Sequence, residues 1–304
     1  MAVSSSRLSI ERILEAHRAW LEHKPEGVRA DLSGAALSDF NLRRADLRMA
    51  LLYSATLLNA DLRGADLSGA VLESADLRGA DLGGADLSGT DLSQANFESA
   101  ILSEASLSEA TLERTSLRKT TLTRARLMEA SVIECDFTSS QCEGAGFHGA
   151  RISESNFSNA GLNRALFYHA RIQLTRFCSI HADEANFTSS KLLSCNFREA
   201  ELAYAKFCEA DLSGSNFALA LMTGCDFRQA RLAGADFSRA SLAGARFRGA
   251  NLFTADLRGA NLEGAREVSG DQLAQARTDE STTLPNGSQG VFIKYSGAER
   301  AVMR

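Results

Sequence analysis

From Ala30 to Ala265 the chain repeats in blocks of five: a small residue, a polar residue, Leu or Phe, a second polar residue, then often Gly. Ala60-Asp61-Leu62-Arg63-Gly64, Ala85-Asp86-Leu87-Ser88-Gly89 and Ala235-Asp236-Phe237-Ser238-Arg239 are typical. The central residue advances from Leu32 to Leu262 in unbroken steps of five, which makes 47 blocks. A period held that long is architecture and precedes any other reading of fold. Five matches neither the 3.6 of a helix nor the 2 of a flat strand, so the chain must turn a corner in each block. Each block then forms one side of a coil, with the small and central residues inward, the polar residues outward and Gly easing the corner. Successive coils stack through backbone hydrogen bonds, each burying what its neighbours cover.

A second period supports this. Phe137, Phe147, Phe157, Phe167, Phe177, Phe187, Phe197, Phe207, Phe217, Phe227, Phe237 and Phe247 recur every ten residues, with Ile152, Leu192 and Met222 among the smaller residues between. Large and small side chains must alternate around a narrow tube if it is to fill without clashes. Alternate sides are therefore distinct and their number is even, but the period does not choose which even number.

The A(D/N)LxG blocks resemble the pentapeptide-repeat family over about three-quarters of the chain. That resemblance implies an all-β solenoid, a right-handed four-sided β-helix with 20 residues per coil. Forty-seven blocks then give about 12 coils, and at roughly 4.8 Å per stacked strand a length on the order of 55 Å.

The expected organisation is an N-terminal helical cap (1–29), the β-helix (30–265), and a C-terminal cap helix with a tail (266–304). Open solenoid ends invite end-to-end dimers unless covered. Ser6 to Glu22 places Ile10, Ile13, Leu14, His17 and Leu21 on one helix face beside Trp20, a candidate plug. Ser269 precedes Gln272 at capping-box spacing, and Leu273 with Ala276 completes a short second helix. Pro25 and Pro285, the only prolines, fall outside the repeat. Val291-Phe292-Ile293-Lys294-Tyr295 reads as either a short strand or part of a disordered arm.

A net charge of −5 describes a soluble protein and names no nucleic-acid or anionic-membrane partner. Met1 to Arg12 lacks a signal-peptide pattern, which leads to an expected cytoplasmic location, or export by a signal-peptide-independent route. The longest apolar-looking stretch, Met49 to Leu58, is too short and too interrupted to span a bilayer. Of six cysteines, Cys135, Cys195 and Cys225 occupy small inward positions, Cys142 a central one, and Cys178 and Cys208 outward ones. No CxxC motif appears, so they read as buried apolar residues and two surface thiols in a reducing compartment. Under the four-sided register His148 and His169 share a side with Tyr168 between them, without further ligands for a metal. No cofactor and no catalytic residue is expected, since the convex surface offers no pocket to shield a reaction.

Charge layout carries more information. Between Asp61 and Glu113 eleven acids face only Arg63 and Arg78; Arg114, Arg118, Lys119, Arg124 and Arg126 then reverse the sign, and Arg228 to Arg258 holds six arginines against Asp236 and Asp256. The candidate partner-binding residues are Asp61, Asp66, Glu73, Asp76, Asp81, Asp86 and Asp91 in the acidic girdle, with the outward apolar residues Leu51, Tyr53, Leu166 and Tyr168. Reversing Asp81, Asp86 and Asp91 to Lys should leave stability nearly unchanged. The expected function is a non-enzymatic scaffold for a protein partner, such as an effector or a secretion-system adaptor, with no direct nucleic-acid binding. The alternative implied by the resemblance is a DNA mimic that binds DNA gyrase or topoisomerase IV. A 55 Å duplex mimic would want about 30 uncompensated negatives. The solenoid has 29 acids against 23 bases and lacks the inserted loops of the plasmid-borne quinolone-resistance members.

Overall fold

The structure, a computed structural model, describes residues 2–301, with side chains from Ile10 onward. The chain divides into two compact units, Met1–Asp136 and Phe137–Arg304. Both are stacks of coils in which each side of five residues forms a parallel backbone bridge to the side twenty residues on, as in Asp61↔Asp81 and Asp211↔Arg231. Twenty residues per step and five per side make four sides per coil. The sides are short: the Leu62 N–H donates to the Asp81 carbonyl at 2.7 Å and the Asp61 N–H to the Phe40 carbonyl at 2.9 Å, after which the Ala65 N–H closes the corner onto Leu62 at 3.0 Å.

The corner residue lies in the left-handed region whether or not it is glycine. Gly64 has φ 62°, but Glu104 has 60° and Leu174 has 49°. Glycine therefore relieves a conformation that the repeat imposes everywhere.

In the first unit, α1 (Ala2–Leu21) precedes the coils. It begins before the expected Ser6, and of its described side chains only His17 is fully buried. The imidazole ties the helix down: the Ala30 N–H donates to Nδ1 at 3.1 Å, which leaves Nε2 to donate to the Arg48 carbonyl at 3.0 Å. Gly27 lets the chain return so closely along the helix that a Cβ there would collide with the Trp20 backbone. The core of this unit is Leu and Ala, with Phe97 as its large aromatic. Buried hydroxyls at the small inward position, such as Thr90 and Thr120, each donate to a carbonyl three residues back at 2.6 Å. One side widens into strands β1 (Thr111–Glu113) and β2 (Ser131–Ile133), paired in parallel.

The second unit begins where the ten-residue phenylalanine series begins. Phe137, Phe157, Phe177, Phe197, Phe217 and Phe237 form one ladder, with ring centroids 4.3 to 5.1 Å apart along it. Phe147, Phe167, Phe187, Phe207, Phe227 and Phe247 form the opposite ladder, spaced 4.6 to 5.3 Å. The two meet edge-on, as Phe187 and Phe197 do at 88°. Rings on opposite sides thus fill the middle of each coil, and the period of ten is their signature. Strands β3 (Arg151–Ser153), β4 (Arg171–Gln173) and β5 (Lys191–Leu193) stack in parallel on one remaining side.

Helix α2 (Gly270–Gln275) starts at a capping box formed by Ser269 and Gln272, and the Gln272 side-chain amide also donates to the carbonyls of Phe247 and Ala250 at 2.7 Å. Coil pairing then resumes at Asp256↔Arg277 and Asn261↔Thr283. The segment from Val291 to Tyr295 forms no strand. It is an irregular run held by buried Phe292, whose N–H donates to Thr278 Oγ1 at 2.9 Å, and by a Lys294–Asp271 ion pair at 2.7 Å. No described helix is long and apolar enough to cross a membrane.

Candidate interaction surface

The aspartates of the girdle first serve their own corners. Each opens its side, and its Oδ1 accepts the N–H two residues on: Asp66 from Ser68 at 3.0 Å, Asp76 from Arg78 at 3.3 Å, Asp81 from Gly83 at 3.0 Å, Asp86 from Ser88 at 2.9 Å and Asp91 from Ser93 at 3.0 Å. Asparagine does the same where it replaces aspartate, as Asn96 and Asn196 show at 2.9 and 3.0 Å. The expectation that reversal to Lys would spare stability is therefore corrected, because lysine has no acceptor for these N–H groups.

Much of the girdle is neutralised where it stands. Arg63 Nε donates to Asp61 at 2.8 Å and reaches Asp81 at 3.4 Å; Arg48 pairs with Asp46 at 2.8 Å and reaches Asp66 at 3.6 Å; Arg78 pairs with Asp76. The Arg63 hydrogen bond holds the Asp61 carboxyl at about 2, and Arg78 lowers Asp76 in the same way. The register stacks Asp61 on Asp81 and Asp66 on Asp86, but puts Asp76 and Asp91 on the two other sides. The seven acids thus surround the unit instead of forming one face. Among the described residues no cation pairs with Glu73, Asp86 or Asp91. Leu51 is half-buried in register with Val71, and Tyr53 stands exposed beside it, on the side that also carries Glu73 and Asp91.

In the second unit Leu166 and Tyr168 lie on one side, together with two histidines. The rings of His148 and Tyr168 are 4.1 Å apart and those of His148 and His169 5.8 Å apart, and His148 Nδ1 donates to the Tyr168 carbonyl at 3.2 Å. Around the next corner Arg151, Arg171 and Lys191 stand in register on β3, β4 and β5. Sequence reading missed this row. The three residues are separated by twenty positions, so a charge count along the chain passes over them, although the four-sided register places them on one side.

Two shallow grooves open on the second unit. One, of about 360 Å³, is lined by Arg198, Leu219, Arg239, Arg258 and Asp279; the other, of about 390 Å³, by Tyr204, Lys206, Asp226, Arg246 and Arg266. The Tyr204 ring lies so close over Gly224 that a Cβ there would be 2.7 Å from it. The convex surface is thus indented, though by open troughs.

Cys135, Cys142, Cys195 and Cys225 are buried, Cys178 and Cys208 partly exposed, and all six are free thiols. Burial pushes Cys135 up to about 11 and Cys142 and Cys195 to about 12, far from the range of a reactive thiolate. No cluster of three or more His, Cys, Asp or Glu residues suited to a metal occurs among the described residues.

The family model for pentapeptide repeats matches eight copies, over residues 30–69, 65–104, 105–141, 183–218 and 220–259. Among solved structures the chain is similar to HetL, a pentapeptide repeat protein involved in heterocyst differentiation regulation from the cyanobacterium Nostoc sp. strain PCC 7120. The identity is 29%, covering 74% of this chain and 91% of that one, with a TM-score of 0.40. It is also similar to QnrB1, a plasmid-mediated fluoroquinolone resistance protein, at 16% identity over 54% of this chain and 91% of that one, with a TM-score of 0.31. A third is Rfr23, a pentapeptide repeat protein from the cyanobacterium Cyanothece 51142, at 22% identity over 47% and 89%, with a TM-score of 0.23. No curated protein matches the chain.

Proposed function

The chain belongs to the pentapeptide-repeat family, and from that premise we propose that it is a non-enzymatic scaffold that presents the outward side chains of its coils to a protein partner. The observation that carries this reading is the fixed register. Within each unit the sides are bridged to the side twenty residues on, as Asp61↔Asp81 and Asp211↔Arg231 are, so outward residues stand in columns at about the 4.8 Å strand spacing, held by backbone hydrogen bonds. Such an array needs little ordering when a partner docks, which removes a main cost of association. The buried thiols, raised by desolvation, are unsuited to nucleophilic chemistry, and the two grooves are open to solvent. On the first unit the contact is proposed to centre on Asp86, Asp91 and Glu73 with Leu51 and Tyr53; on the second, on Leu166 and Tyr168. A role as an effector or secretion-system adaptor is one form of this scaffold.

DNA mimicry fits less well. Arg48, Arg63 and Arg78 neutralise aspartates that a phosphate mimic would need to leave exposed. The test is affinity capture from a bacterial lysate, read by mass spectrometry, with the intact protein beside an Asp81→Asn, Asp86→Asn, Asp91→Asn variant that keeps the corner acceptors. Partners lost only with the variant support the scaffold and its acidic contact. Recovery of type II topoisomerase subunits would favour the mimic, and no enriched partner would refute the scaffold reading.

A further inference from the structure

Many cations on the outside of these coils are paired with an acid, but three that stand in one row are not. The paired ones meet an acid two residues away or in the neighbouring coil: Arg228 with Asp226 at 2.7 Å, Arg258 with Asp256, Arg164 with Glu184 at 3.3 Å, Arg231 with Asp211 at 3.8 Å. Arg151, Arg171 and Lys191 are directly opposed in the parallel register of β3, β4 and β5 and are all exposed. None of the three makes an ion pair or a side-chain hydrogen bond among the described residues. Like charges opposed on adjacent strands destabilise a sheet; the stacked Asp61 and Asp81 share Arg63 as a counter-ion, whereas Arg151 and Arg171 share none, and only Lys191, at the end of the row, faces an acid, Asp211, across its next bridge.

The row has a distinct setting. Its neighbouring outward column is Ser153, Gln173 and Leu193, without a carboxylate, and across the preceding corner stand Tyr168, His148 and His169. Leu166 and Leu193 are each 38% exposed. We infer that this face of the second unit is a docking surface for an acidic protein segment that also carries apolar side chains. The inference rests on the scaffold reading and names the partner class for that unit.

Three observations choose a protein over a nucleic acid. The cations lie on a flat β side and not in a groove that could track a phosphate backbone. The His148 and Tyr168 rings pack against each other at 4.1 Å and are tilted by 42°, so they do not form the spaced platforms on which successive bases stack. The net charge of −5 repels a polyanion at long range, whereas a short acidic segment is recognised locally. Arginine and tyrosine flanked by leucine is the composition of a protein interface.

The test uses the full chain and fluorescence anisotropy with a labelled Glu-rich peptide bearing Leu at every fourth position. Replacing Arg151, Arg171 and Lys191 together with Gln should weaken binding by about tenfold or more. A control with the same charge change at three exposed cations that are not opposed to one another, Arg124→Gln, Arg239→Gln and Arg277→Gln, should change it far less. Arg171→Glu alone should weaken binding yet raise the melting temperature by about 1–3 °C, because it relieves the repulsion. Equal loss in the row variant and the control, or no loss in either, overturns the proposal. Tighter binding of a labelled single-stranded oligonucleotide than of the peptide also overturns it, assigning the face to nucleic acid. If lysate partners persist with the row variant while the peptide fails to bind, this face is refuted and the scaffold stands. If neither peptide nor lysate yields a partner, both fall.

Discussion

Phe187 lies ring over ring on Phe207, centroids 5.0 Å and planes 4° apart, and meets Phe197 edge-on at 5.9 Å. Each ring therefore contacts its own ladder face to face and the opposite ladder edge to face, inside rungs whose spacing is set by the backbone. Such a site collapses little when a ring is removed, so Phe187→Ala should cost about 3–5 kcal/mol in denaturant or thermal unfolding. Leu at the same position should cost less. A near-neutral Ala variant would place the ring outside the core.

Ile180 and Ala182 make a second, smaller test of the same packing. In this block the small inward position carries Ile and the central position Ala, and both are fully buried. The sizes are exchanged and the volume is kept. Ile180→Ala should open a cavity and cost about 2–5 kcal/mol, and Ala182→Leu should overpack and cost about 1–3 kcal/mol. The double variant restores the usual order and should recover at least half of the summed loss, giving a coupling outside the additive range. Simple additivity would show that the two side chains do not share space.

The difference between what the sequence revealed and what it hid lies in the range of each signal. The inward residues of a five-residue side have no alternative environment, so Leu62 or Phe187 is readable from its position alone. The outward residues have two roles that look identical in one dimension. Asp86 reads as a surface charge, yet its carboxylate accepts the Ser88 N–H at 2.9 Å and shapes the corner. The cation row was legible but overlooked: the four-sided register that the resemblance implies brings Arg151, Arg171 and Lys191 together, but charge counted along the chain does not, because each shares its own coil with acids. The run around Phe292 is neither the short strand nor the disordered arm between which its sequence left the choice: it is irregular, and a single buried ring and the Lys294–Asp271 ion pair hold it.

The corner role of the aspartates separates charge from structure experimentally. Changing Asp81, Asp86 and Asp91 to Asn keeps the acceptor, as Asn96 and Asn251 do naturally, and should leave the melting temperature within a degree or so of the parent. Changing them to Lys deprives three corner N–H groups of their acceptor and should cost about 0.5–1.5 kcal/mol at each position. Equal stability of the two triple variants in thermal melts would remove the corner role.

His17 makes the docking of α1 sensitive to pH. It is fully buried, and it uses Nδ1 as an acceptor for the Ala30 N–H, a role that a second ring proton abolishes. Burial lowers its pKa from 6.5, outweighing the opposing pulls of the Arg48 carbonyl and Asp46. The unfolded chain therefore takes up this proton first, and stability rises with pH across the interval between the two values. The contribution should be complete above about pH 6.5 and be lost as pH falls through the lower folded value. Trp20, the only tryptophan, stacks on the imidazole with centroids 5.5 Å apart and reports the change directly. Its emission should titrate with a midpoint below about 6.5, and the transition should vanish in His17→Phe. A midpoint above that value would mean that the folded state favours the imidazolium, reversing the predicted direction of the stability change.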